Sequence, residues 1–295
     1  MAILATRETR VLIQGATGKQ GAYHTRRMLE DKVRVTAGVT PGKGGQIVHG
    51  IPVFDTVKEA QRHSPANASM ILVPPAGVLS AALEAIENRI PLIVIITEFV
   101  PLHDMLVIKH TAQQAAVGVL GPNTIGVISP GESKIGIMPG FIYSKGSVGI
   151  VSRSGTLTHE IASNLTYRGI GQSTCVGIGG DPVKGTDFVE ALKLFRDDDQ
   201  TEAIILIGEI GGAGEEMAAR YLQETGYPKK LWAFIAGSTA PVDKKMGHAG
   251  AIISGGLGTT ESKIKHLEEA GVTVVKTLDG LLGPARGLSA PQNPP

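Results

Sequence analysis

The stretch VLIQGATGKQGAYHTRRML, residues 11–29, decides how the whole chain reads. Val11, Leu12 and Ile13 form a short apolar strand that runs into Gly15-Ala16-Thr17-Gly18-Lys19-Gln20-Gly21, with a helix expected over about 22–29. Glycines let the chain turn sharply and let a phosphate approach bare backbone. The helix start adds unpaired N–H groups and the positive end of a dipole. The spacing is GxxGxxG rather than GxGxxG, so the strand–turn–helix context carries the signal, against a plain βα turn without ligand. The same rhythm continues outward. Strands are expected at 33–39, 51–54, 70–73 and 92–96, helices at 78–87 and 102–116, and residues 118–120 lead into GPNTIG. These strands are near-continuous runs of Val, Ile and Leu, as in parallel strands buried on both faces. Alternation with helices predicts right-handed βαβ units in a doubly wound α/β sheet.

Residues 121–146 break the rhythm, being rich in Gly, Pro and Ser. The expected division is therefore a first domain over 1–121 and a second over 122–288, with 122–146 an irregular connector and 289–295 a frayed tail. In the second domain, strands are expected at 147–151, 174–178, 203–207, 231–236 and 272–275. Helices are expected at 188–195, 215–224 and 261–270, one opens at SRSGTLTHE, and a short one ends near residue 286. Both halves thus read as parallel α/β domains.

Length and composition narrow the function classes. The 295 residues suffice for about two domains. With 42% hydrophobic and 19% charged residues, the chain is not generally disordered, and its 39 glycines have no collagen period. A net charge of +1, from 28 basic and 27 acidic residues, draws the chain to neither nucleic acid nor an anionic membrane. The single cysteine, Cys175, excludes an internal disulfide and fits a reducing compartment. The longest apolar run, 90–96, is far short of the ~20 residues of a membrane helix, and MAILATRETR has no signal-peptide core. A soluble cytoplasmic protein is the expectation.

The end of the second strand bears on the ligand. A NAD site expects an acid there for the ribose hydroxyls. This chain has Val39-Thr40-Pro41-Gly42-Lys43, a lysine on a glycine-rich loop, which suits a ligand with an extra phosphate: CoA or NADP. Neither Gly18-Lys19-Gln20 nor Gly42-Lys43-Gly44 completes a Walker A motif. In the second half, MGHAGAII sets His248 between small residues that leave its ring accessible. No HExxH, CxxC or dense Asp run accompanies it, so His248 is a candidate base or nucleophile rather than a metal ligand. GEIGG puts Glu209 at a strand's carboxyl end, where it can hold one ring nitrogen and leave the other free to attack. SRSGT makes a second phosphate-type helix start, with N-capping by Ser154 as its plain alternative.

Taken together, GxTGxQG, VTPGKGG, ITE, SRSGTLT, QSTCVGIGGDP, TEAIILIGEIGG and MGHAGAIISGG resemble the alpha-subunit family of succinate–CoA ligases, from about residue 3 to 283. The resemblance implies a Rossmann-like CoA-binding domain followed by a flavodoxin-like doubly wound domain. It implies CoA contacts at Thr17, Gly18, Lys19, Gln20, Lys43, Ile96, Thr97 and Glu98. It makes His248 a phosphohistidine oriented by Glu209, with the helix start at Ser154, Gly155 and Thr156 cradling the phosphoryl group. It implies an ATP-grasp beta subunit, in an αβ or α2β2 assembly, that holds ATP or GTP and Mg2+. The implied reaction, a step of the tricarboxylic acid cycle, joins succinate and CoA through an acyl phosphate. The implied location is the cytoplasm, or the mitochondrial matrix in a eukaryote. Two positions depart from the family's usual GPNCPG and TLTYE: Thr124 and His159. Both are expected near the substrate, where His159 adds a charge suited to a more acidic acid. Citrate– and malate–CoA ligases are the related alternatives. A stand-alone CoA or NADP sensor, or a Rossmann dehydrogenase, would leave the second half without a role.

Overall fold

The computed structural model describes residues 2–237, 248, 250, 251 and 258–285. The expected tail over 289–295, the end of the last helix and most of the loop around His248 lie outside the described residues.

In the first half, β1 (Arg10–Gln14) is followed by α1 (Lys19–Glu30), β2 (Arg34–Val39), the hairpin of β3 (Ile47–Val48) and β4 (Ile51–Phe54), and α2 (Val57–His63). Then come β5 (Ala68–Ile71), α3 (Val78–Glu87), β6 (Leu92–Ile95), α4 (Leu102–Gln114) and β7 (Gly118–Leu120). The sheet order is β3-β4-β2-β1-β5-β6-β7, parallel except for β3 against β4. Apart from the added β3, this is the Rossmann order, with winding reversed between β1 and β5. Both faces of β1 are buried, as its unbroken apolar run predicts. Val11 and Ile13 pack with Met28 of α1, while Leu12 packs with Val57, Ala82 and Ile108 of α2, α3 and α4.

The second half begins with β8 (Gly126–Ser129) and β9 (Ser133–Gly136), followed by β10 (Lys145–Ser152), α5 (Gly155–Tyr167), β11 (Gln172–Gly177) and α6 (Phe188–Arg196). It continues with β12 (Ala203–Glu209), α7 (Gly214–Thr225), β13 (Lys230–Ala236), α8 (Thr260–Glu269), β14 (Thr273–Val275) and α9 (Leu282–Ala285). The sheet runs β14-β13-β12-β10-β11-β8-β9. Its five parallel strands follow the flavodoxin order, and α5 covers the opposite face from α6, α7 and α8.

The irregular connector expected over 122–146 is corrected. β8 and β9 form an antiparallel hairpin, and β8 pairs antiparallel with β11, so the segment extends the sheet edge. Its strands have only four residues each, and glycine hides their pattern. Gly126 and Gly136 face each other so closely that a Cβ on either would lie 2.0 or 2.1 Å from a carbonyl oxygen of the opposing chain. The glycines that read as irregularity are thus what lets the strands meet.

Candidate functional site

The two sheets point their carboxyl edges at one cavity of about 840 Å³. From the first sheet come Gly18, Lys19, Gln20 and Gly21 after β1, Leu72 to Pro75 after β5, and Ile96, Thr97 and Glu98 after β6. The passage between sheets adds Asn123, Thr124 and Ile125, α5 adds Gly155, Thr156 and His159, and His248 completes the wall. Residues assigned from sequence to two separate jobs therefore share one space.

The glycine turn after β1 is sterically demanding. Gly15 has φ +85°, and a Cβ on Gly21 would lie 2.0 Å from the Gly15 carbonyl oxygen. Helix α1 starts behind Gly18 with no side-chain cap, so among the described residues its first N–H groups have neither an intrahelical nor a side-chain acceptor. Thr17 does not line the cavity; its N–H donates to Thr40 Oγ1 at 3.4 Å, which ties the turn to the loop after β2. Lys43 is exposed on that loop and outside the cavity wall. The loop is closed by the Lys43 N–H donating to the Thr40 carbonyl and the Gly44 N–H to Asp55 Oδ1.

His248 packs flat on Gly180, where an added Cβ would lie 2.3 Å from the ring Cγ. Its Nδ1 meets Glu209 Oε2 at 2.8 Å and Oε1 at 2.9 Å. This bond, outweighing partial burial, raises the His248 pKa above its ordinary value. With Nδ1 engaged, Nε2 is the ring nitrogen left for chemistry. Ser154 caps α5, its Oγ accepting from the Leu157 N–H at 3.3 Å; it stands just behind the cavity wall formed by Gly155 and Thr156. The N–H groups of Gly155 and Thr156 open the helix and have no intrahelical acceptor.

Two substrate expectations change. The Thr124 hydroxyl donates to the Gly177 carbonyl and accepts from the Gly126 N–H, so it latches backbone rather than standing free. His159 lines the cavity, but burial pushes its pKa down, so the expected positive charge is disfavoured. Its ring sits edge-on to Tyr143, centroids 6.3 Å apart, and among the described residues no partner meets its buried Nε2. Desolvation wins because, among the described residues, no acid is placed to hold the proton.

Sequence reasoning missed a buried charge network behind the histidine. Arg153 meets Glu209 and Glu215, and Lys263 meets Glu215 and Glu216. Burial alone would raise the Glu215 pKa, yet Arg153 and Lys263 hold it below the usual carboxylate value. The available signal was a charged residue at the end of a strand buried on both faces. His24, on α1, is a second missed wall residue, its pKa lowered by burial and by Lys134.

A family model for a CoA binding domain matches residues 6–99, and one for CoA-ligase matches residues 151–273. The succinate–CoA ligase [ADP-forming] subunit alpha 2 of Archaeoglobus fulgidus is 55% identical over 277 residues, 94% of this chain and 96% of that one. The corresponding alpha subunit of Methanothermobacter thermautotrophicus is 54% identical over 92% of each chain, and that of Staphylococcus aureus 50% identical over 94% and 91%. Among solved structures, ATP citrate lyase of Methanothrix soehngenii, in complex with citrate and coenzyme A, superposes with TM-score 0.88 at 23% identity. The match covers 99% of this chain and 53% of that one, so it bears on fold alone.

Proposed function

The chain belongs to the alpha-subunit family of succinate–CoA ligases, and from that premise we propose that His248 carries the phosphoryl group between a nucleotide and the carboxylate substrate. The supporting observation is the pair of contacts from Glu209 to Nδ1, which leaves Nε2 on a ring that lines the cavity. Glu209 favours the tautomer with the proton on Nδ1 and the lone pair on Nε2. Phosphorylation at Nε2 makes the ring cationic, and the carboxylate beside Nδ1 stabilises that charge. The first N–H groups of α5, at Gly155 and Thr156, offer donors and a positive dipole end to the phosphoryl oxygens. Succinate takes the phosphoryl group and becomes an acyl phosphate. The names of the relatives specify the ADP-forming reaction, which favours ATP as donor.

The first domain fits CoA. The glycine turn brings bare backbone to the cavity, and a Cβ at Gly21 would close that cradle. Thr17, Gly18, Lys19 and Gln20 would hold a phosphate there, Lys43 a phosphate further out, and Ile96, Thr97 and Glu98 the arm that reaches inward. When bound, CoA supplies the thiol that accepts the acyl group. His159 and Thr124 shape the acid end of the cavity, His159 as a neutral ring. Relatives named as alpha subunits imply a second subunit. An ATP-grasp beta chain holding nucleotide and Mg2+, in an αβ or α2β2 assembly, fits that place. A cytoplasmic location fits the bacterial and archaeal relatives, and among the described residues no helix is long and apolar enough to cross a membrane.

The test is incubation of the complex with γ-labelled ATP. Acid-labile, base-stable label on the alpha chain, absent in His248→Ala, is expected. Label persisting in that variant would refute the assignment.

A further inference from the structure

Arg153 lies between the last residue of β10, Ser152, and the cap of α5, Ser154, and its side chain is 4% exposed. Nη1 donates to the carbonyls of Glu209 and Gly211, at 3.2 and 2.8 Å, and lies 3.2 Å from Glu215 Oε1. Nη2 donates to the Gly250 carbonyl at 3.3 Å and lies 3.1 Å from Glu209 Oε1. One planar group thus touches the carboxylate that holds His248, the turn that carries this carboxylate, and the backbone two residues beyond the histidine. The approach is tight: a Cβ on Gly250 would lie 3.0 Å from Nη2. Behind the guanidinium, Glu215 is fully buried and paired in turn with the fully buried Lys263.

We propose that Arg153 is the positioning residue of the phosphoryl-accepting histidine: it locks Glu209 and the backbone at Gly250 into one arrangement, and its positive charge opposes the Glu209 anion beside the ring. The inference rests on the phosphohistidine reading above. A lysine has no planar fork and cannot serve five acceptors at once. The electrostatic half follows from which groups face His248. Glu209 at the end of β12 and Asp181 after β11 favour a protonated ring, and partial burial and Arg153, just after β10, oppose it. Across the cavity, the titratable groups among the described residues are Lys19 and His24 of α1, Glu98 after β6 and His159 of α5. Only the neutral ring has an Nε2 lone pair to receive phosphorus. With Arg153 removed, the Glu209 anion is less opposed, His248 keeps its proton to higher pH, and the reactive fraction near neutrality falls.

The experiment uses the complete complex carrying R153M or R153K. Single-turnover labelling by γ-labelled ATP is followed across a pH series on both sides of neutrality, with CoA affinity by calorimetry as a check on folding. For R153M, labelling at neutral pH is expected to fall by about ten- to a hundredfold, the worth of one charge-assisted hydrogen bond. Its pH midpoint is expected to move upward. R153K keeps a cation, so its midpoint should stay near that of the wild type while its rate still falls. An unmoved midpoint in R153M, whatever its rate, overturns the proposal. If R153M does not assemble, R153K decides: wild-type labelling in R153K overturns the proposal, and a slowed rate with an unmoved midpoint upholds it. Loss of label in R153M with full label in the wild type leaves the phosphohistidine reading intact, whereas label persisting in His248→Ala refutes that reading itself.

Discussion

Gly180→Ala isolates the seat of the histidine ring from its chemistry. Gly180 is not in the positive-φ region, so alanine is tolerated by the backbone there. Its Cβ, however, would stand 2.3 Å from Cγ, 2.5 Å from Nδ1 and 2.6 Å from Cδ2 of His248. Ordinary contact between such atoms begins at 3.4 Å, so the ring must retreat by about 1 Å. It cannot easily do so and keep both Glu209 oxygens within 2.9 Å of Nδ1. Loss of a charge-assisted hydrogen bond costs about 1.5–3 kcal/mol, or roughly ten- to a hundredfold in the correctly held ring. A displacement of ~1 Å at a reacting atom costs about a hundredfold by itself. The two effects overlap, so phosphorylation of His248 should slow by roughly two orders of magnitude. The assay is single-turnover labelling from γ-labelled ATP in the assembled complex, with calorimetric CoA affinity and melting temperature alongside. CoA affinity should be unchanged, because the residues assigned to CoA lie in the first domain and the loops after β1, β2 and β6. Labelling within a few-fold of the wild type, in a variant that folds and binds CoA, would refute the reasoning that Gly180 seats the ring.

Three further outcomes are expected. Glu209→Gln should slow labelling and remove a pH-dependent part of stability: the raised His248 pKa makes that part fully present below pH 6.5 and lost as pH rises through the folded value, so melting of wild type and variant should converge toward high pH. Lys43→Ala should weaken CoA binding by about 1.5–3 kcal/mol, and less for dephospho-CoA if the 3′-phosphate is its partner, as calorimetry would show. Lys263→Met strips a fully buried partner from Glu215 and should destabilise the second domain by about 3–5 kcal/mol, read as a lowered melting temperature.

The glycine turn after β1, most of the strands and helices, and the positions of Glu209 at a strand end and Ser154 at a helix start were legible in the sequence, because each rests on near neighbours. An apolar triplet before a glycine turn, a helix start behind a serine, and a strand buried on both faces all leave marks within about ten residues. The hairpin of β8 and β9 was not legible, since the glycines that permit its pairing also erase its alternation. The charge expected at His159 is disfavoured for a related reason. A residue's type states that it can titrate, but only its surroundings fix the cost of charging it, and here burial makes that cost high.

What the tertiary structure alone decided is which distant residues share a space. Gly18, Glu98, Gly155 and His248 line one cavity because two separate sheets present their carboxyl edges to each other. Arg153 bonds partners 56, 58, 62 and 97 residues away, and none of those separations follows from a local pattern. Local sequence sets propensity and periodicity through contacts a few residues apart. A guanidinium with five acceptors, or an imidazole lying flat on a glycine, exists only once packing has brought remote backbone into van der Waals range. The sequence therefore determined the parts and their local structure, and packing alone determined that they share one space.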